Sequence, residues 1–178
     1  LIRMKSRAQS PPFGFVFVPV GLLWGLFGIV APLFTENQTI LTLARVGLQE
    51  GLLLNLVTGL GSRLVPFLAR THVVDPRRAR PESRRPASGI LALLNLSLVF
   101  EAWFFDGWVW GLRAFSLLMA GIFLFSLFKK PYQATVLGAG IKLSVFAMIG
   151  GYAAIAFFPT LRLALLHIVF IGGFGLLT

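Results

Sequence analysis

Six apolar runs, each close to twenty residues long, constrain this chain more than any other feature. A helix needs about 20 apolar residues to cross the hydrocarbon core of a bilayer. The runs cover about 13–34, 39–65, 87–105, 107–128, 134–158 and 161–178, the second closed by Pro66. None alternates apolar and polar residues with period two, so lipid-facing strands are excluded. The expected fold is all-α: a polytopic transmembrane bundle of six spans. Charged residues make up 12% of the chain, against about 25% in an ordinary soluble domain. A net charge of +10 would suit a nucleic-acid binder if the basic residues shared one soluble face, but long apolar runs separate them.

The charges instead orient the spans. Arg3, Lys5 and Arg7 lie in a basic flank, 1–12, and Arg70, Arg77, Arg78, Arg80, Arg84 and Arg85 in a basic loop, 70–86. Lys129 and Lys130 follow the fourth run. If the spans alternate, these three places share one side, and Lys and Arg in short loops mark the cytoplasmic side. The N-terminus is therefore expected inside, with spans one and two in 13–69 and spans three to six in 87–178. The opposite connections carry Glu36, Asp106 and Pro159-Thr160, with Arg162 as the nearby base. Trp103, Trp108 and Trp110 bracket the outer turn, where interfacial tryptophans are expected. The basic loop, His72 included, reads as a solvated cytoplasmic loop.

Small residues recur where helices should pack. Gly47, Gly51, Asn55 and Gly59 repeat every four residues, and Gly140, Ser144, Ala147, Gly151 and Ala154 form a second stripe. Such stripes let helix backbones approach closely in lipid. Ionisable residues inside spans point to function or to pairing, since each costs about 2.5–3.5 kcal/mol at a helix centre. Here they are Arg45, Glu50, Arg63, Glu101, Arg113, Lys142 and His167. At about 1.5 Å per residue, Arg45, Glu101, Arg113 and His167 share the outer third of the membrane, with Glu50 nearer the midplane. Two readings stay open. Glu101 pairs with Arg113 or Arg45 to neutralise buried charge, or the layer forms a pocket for a cofactor or small ligand. Ala164, His167, Ile171, Gly175 and Thr178 form a mostly small face, expected to turn the imidazole into the bundle. An inward histidine there could ligate haem iron or copper, or pack as a hydrogen-bonded core histidine.

The stretch Leu165-Leu166-His167-Ile168-Val169-Phe170-Ile171-Gly172-Gly173-Phe174-Gly175-Leu176-Leu177-Thr178 resembles a signature of the NnrS family. These are bacterial membrane proteins containing haem and copper and linked to nitric oxide stress. Gln49-Glu50-Gly51-Leu52-Leu53-Leu54-Asn55-Leu56-Val57, with Gly61-Ser62-Arg63-Leu64-Val65-Pro66, is similar to the same family. The resemblance implies a multi-pass protein of the bacterial inner membrane, with lipid and a small gaseous ligand as partners and no nucleic acid. It makes His167 the metal-ligand candidate and Arg63 a cofactor-binding candidate, for which helix packing and haem-propionate pairing both stay open; Arg113, from the outer polar layer, is a second cofactor-binding candidate. The family's further histidine motif is missing, and the chain holds no cysteine for a copper site. With an apolar run at its end, the chain reads as the interior of a longer protein whose other helices complete any metal centre. No catalytic set is visible, so an enzyme is not expected. The alternative is a transporter-like bundle with Glu50 and Lys142 on a proton or solute path.

Overall fold

The computed structural model describes residues 13–69, 84–104, 106–131 and 134–174, which are helical with no strand among them. The helices are α1 (Phe17–Val30), α2 (Gln38–Val46), α3 (Leu52–Leu68), α4 (Arg84–Glu101), α5 (Gly107–Phe123), α6 (Val136–Phe157) and α7 (Arg162–His167). Among the described residues, three helices are long and apolar enough to cross a membrane: Gly14–Leu33, Gln38–Leu68 and Val136–Phe157. The apolar helices Pro86–Glu101, Gly107–Phe123 and Pro159–Gly172 are shorter. The basic flank and residues 70–83 of the basic loop, with His72, lie outside the described residues.

α2 and α3 form one continuous helix of 31 residues, joined through a π-helical turn at Gly47–Gly51. Asn37 caps its start, its side chain accepting from the N–H groups of Thr39 and Ile40. At about 1.5 Å per residue this helix is about 46 Å long, more than the roughly 30 Å apolar core of a bilayer. Pro66 does not end it. The helix runs on to Leu68 with Pro66 buried, because a proline in the last turns removes only one ladder bond. α4 likewise starts inside the expected loop, at Arg84, since Pro86 falls in its first turn, where the missing N–H has no partner to lose.

α5 stops at Phe123, five residues short of the expected end of the fourth run. Ser126 adopts the left-handed conformation (φ 53°), and the Leu127 N–H donates to the Gly121 carbonyl at 2.8 Å. That bond reaches six residues back, one residue wider than the 6→1 bond of a Schellman closure, and Phe125 and Leu127 turn back into the core.

α5 lies between α4 and α6, and its Trp110 and Leu117 meet Ile90, Leu94, Met148, Tyr152 and Ile155 in the buried core. α1 packs along α3 where the first small stripe removes side chains. A Cβ on Gly51 would stand 2.9 Å from Trp24 Cγ, and one on Gly59 would stand 2.8 Å from Val18 Cγ2. The second stripe serves the last helix: Gly151 faces Val169, and Ala147 lies against Gly172. An amide clamp adds polar glue. Trp24 Nε1 donates to Asn95 Oδ1 at 2.5 Å, and Asn55 and Asn95 exchange bonds at 3.2 and 3.3 Å. Each amide also donates to its own helix four residues back, at Gly51 and Leu91. The clamp joins α1, α3 and α4 without leaving these buried groups unpaired, the condition for polar side chains in an apolar interior.

The stripes yield an expected contrast. Gly51→Leu should lower the stability of the detergent-solubilised protein by about 1–3 kcal/mol, the usual cost of overpacking. Gly140→Ala, where no neighbour lies within 4 Å of the added atom, should leave it within about 0.5 kcal/mol. Reversible unfolding in mixed micelles reads both.

Candidate functional site

The structure gathers four charged side chains from distant parts of the sequence. Glu50 projects from the π-helical turn, Glu101 is the last residue of α4, Arg113 lies in α5, and Arg162 opens α7. Glu50, Glu101 and Arg113 are buried. The π-helical turn sets the direction of Glu50: Leu52 N–H bonds the Gly47 carbonyl five residues back, widening the helix at that point. Gly47 and Gly51 flank the carboxylate and leave room for the Trp24 ring.

The four groups close a ring. Arg113 Nη1 pairs with Glu50 Oε2, and Arg113 Nη2 with Glu101 Oε2 at 2.7 Å. On the other side, Arg162 Nη2 meets Glu50 Oε1 at 3.0 Å and Glu101 Oε1 at 2.5 Å. Each carboxylate thus gives one oxygen to each guanidinium. Arg113 Nε donates to Ser97 Oγ and its Nη2 to the Ser97 carbonyl, both at 3.3 Å. Tyr152, from α6, donates its hydroxyl to Glu50 Oε2 at 2.8 Å, and its ring lies 5.3 Å from Arg113 Cζ. The Trp110 ring lies 5.5 Å from Arg162 Cζ. Two positive and two negative charges leave the cluster neutral. Arg162 is its one member with appreciable exposure, 26% of the side chain.

Of the expected outer layer, Glu101 and Arg113 pair as one reading required. Arg45 does not join them; it is exposed on α2. Glu50 is not a separate midplane group but shares the ring with Glu101. Its helix is longer than a bilayer core is thick, so a depth counted from residue 39 does not locate Glu50. Arg162 and Tyr152 were the members that residue depth missed. Arg162 had been read as a loop base, and only its place at the head of α7 lets it reach inward. Trp110, expected at the interface, is instead buried beneath Arg162, while Trp103 and Trp108 are exposed.

His167 does not point into the bundle. It is exposed, as are Ala164 and Ile171, so the face expected to turn inward turns away from the described helices. Arg162 and Val169 define the inward face instead. His167 Nδ1 lies 2.7 Å from the Leu163 carbonyl. A carbonyl can only accept, so Nδ1 carries the proton and, in the neutral ring, Nε2 presents its lone pair away from the helix. Among the described residues no three His, Cys, Asp or Glu side chains gather as a metal site. Arg63 is exposed on α3, about 20 Å along the helix from Glu50. Lys142 Nζ donates to the Lys129 carbonyl at 2.8 Å, beyond the end of α5 remote from the ring.

The ring can cancel charge and bind helices together. Both carboxylates are fully committed to cations, so neither stands as an isolated acid or base. Arg113→Met should destabilise the protein by about 3–5 kcal/mol, because it strands buried carboxylates. Adding Glu101→Leu leaves the neutral Glu50–Arg162 pair and should recover more than half of the loss, measured by the same unfolding assay. No family model, curated protein or solved structure matches the chain.

Proposed function

We propose that this chain is the helical core of an NnrS-like protein of the bacterial inner membrane, which binds haem through His167 and serves in resistance to nitric oxide. In this reading all six apolar helices span the bilayer with the N-terminus in the cytoplasm, as the distribution of Lys and Arg favours. The observation that carries the proposal is the hydrogen bond from His167 Nδ1 to the Leu163 carbonyl. Histidines that ligate metals usually give their other ring N–H to a carbonyl or carboxylate, which fixes the tautomer and strengthens the donor nitrogen. His167 has that arrangement and an exposed ring, so its Nε2 would be the atom that holds haem iron.

Haem fits this single imidazole better than copper does, since the described residues gather no group of three His, Cys, Asp or Glu side chains. When bound, haem iron would supply an open coordination position for a gaseous ligand. The chain's own contribution is to hold the imidazole in one tautomer and direction. Copper, and any second axial ligand to the iron, would draw on residues outside the described ones. Arg113 is held by two carboxylates inside the ring, which leaves Arg63 as the propionate candidate only if haem lies toward the cytoplasmic half. The transporter-like alternative has less support. Glu50 is held by Arg113, Arg162 and Tyr152, and Lys142 bonds a carbonyl at the cytoplasmic end in this orientation.

The purified protein, reconstituted with haem, should show a Soret band that His167→Ala shifts or abolishes and that added imidazole partly restores. An identical spectrum in the variant would remove His167 from the iron. Proteoliposome uptake of a solute or protons that Glu50→Gln abolishes would favour the transporter reading instead.

A further inference from the structure

We infer that Arg162 is a positioning residue for His167: its clasp on the two buried carboxylates sets the rotation of the last helix and so the direction of the imidazole. The metal part of this inference rests on the proposed role of His167, whereas the rotational part concerns the chain alone. α7 is only six residues long and follows a break at Phe158, where the backbone leaves α6 (φ −129°, ψ 66°) through the 3₁₀ turn Pro159–Leu161. Beyond α7 the chain continues as a π-helical segment, Ile168–Phe174.

The inward face of the last helix packs on α6, with Leu165 and Leu166 against the buried core and Gly172 against Ala147. Val169 is fully buried against Gly151 of α6, where a Cβ added to the glycine would stand 2.3 Å from Val169 Cγ2. Arg162, on the same inward face seven residues earlier, reaches across to Glu50 and Glu101 on two other helices. Its guanidinium also lies over Trp110 of α5. Arg162 is therefore the directional tie between the last helix and α2–α5. At 3.6 residues per turn, His167 lies about 140° around the helix from Arg162, on the opposite side. Inward clasp and outward imidazole are linked through less than two turns of helix, so loss of the clasp turns the ring.

Because the chain has no cysteine, single cysteines report on rotation without background. Ala164 is exposed beside His167, and Leu165 is half-buried. Spin-labelled Ala164→Cys and Leu165→Cys proteins in lipid nanodiscs should differ at least about twofold in oxygen collision rate, the exposed site being higher. Arg162→Gln should bring the two rates close to equal, and Arg162→Lys should keep most of the difference. Arg162→Gln with Glu101→Gln removes one charge of each sign; it keeps the cluster balanced but not the clasp, so its two rates should also converge. This variant covers the case in which Arg162→Gln alone fails to fold. Unchanged rates in both glutamine variants would overturn the inference.

In the haem-loaded protein, Arg162→Gln should shift the Soret band or broaden the low-spin resonance, while His167→Ala alters or removes it. Converged spin-label rates with a spectrum indifferent to His167→Ala would leave the clasp standing and sink the metal assignment. A His167-dependent spectrum that neither Arg162 variant perturbs would do the reverse.

Discussion

The ring of Glu50, Arg113, Glu101 and Arg162 is the interaction on which the rest of this bundle depends. A single unpaired ionised group in an apolar interior forfeits a large share of a small protein's stability, and an isolated buried pair often fails to repay its desolvation. A closed ring changes the terms. Each carboxylate oxygen meets a guanidinium nitrogen, Tyr152 and Ser97 satisfy further positions, and the net charge is zero. Since the four members come from α2–α3, α4, α5 and α7, the ring also decides which helix ends may be neighbours. Apolar packing alone would tolerate many arrangements, because lipid tails and leucine side chains are alike in polarity. The ring tolerates one.

Helix packing accommodates that demand. The π-helical turn at Gly47–Gly51 interrupts a long helix at the place where Glu50 must leave it, and π-bulges commonly mark such local re-aiming. The glycines that bound the turn let Trp24 lie flat on the same helix, and the Trp24 indole then reaches Asn95 on α4. One irregular turn thus places a buried carboxylate, an aromatic contact and an interhelical amide clamp.

How much of this could be read from the residues depended on the range of the contact. The Glu101–Arg113 pair was legible, because a short turn makes their helices antiparallel neighbours and puts the two side chains at similar depth. Glu50 and Arg162 were not. The π-helical turn leaves no mark in hydropathy, and a 31-residue helix is longer than a bilayer core is thick, so depth counted from its first residue does not locate Glu50. Arg162 looked like a loop base because a proline and a threonine precede it. The inward face of the last helix was misjudged for a related reason. Small residues allow close packing but do not demand it, whereas an arginine that must meet two carboxylates does. Arg162 and Val169 therefore outweigh Ala164, His167 and Ile171 in orienting that helix.

That orientation separates two tasks usually found together in membrane proteins. The ionisable residues of the interior neutralise one another and bind helices, which accounts for their expense without invoking chemistry. The imidazole lies on the other side of the last helix, exposed, with its tautomer fixed by the Leu163 carbonyl. A histidine used only for packing would be buried, with both nitrogens satisfied within the bundle. His167 instead has one nitrogen bound to its own helix and the other directed outward, which suits a ligand approached from outside the described helices. On the proposed role of His167, its ligand would approach the outward face of α7, with the neutral ring behind it as the anchor of the helix.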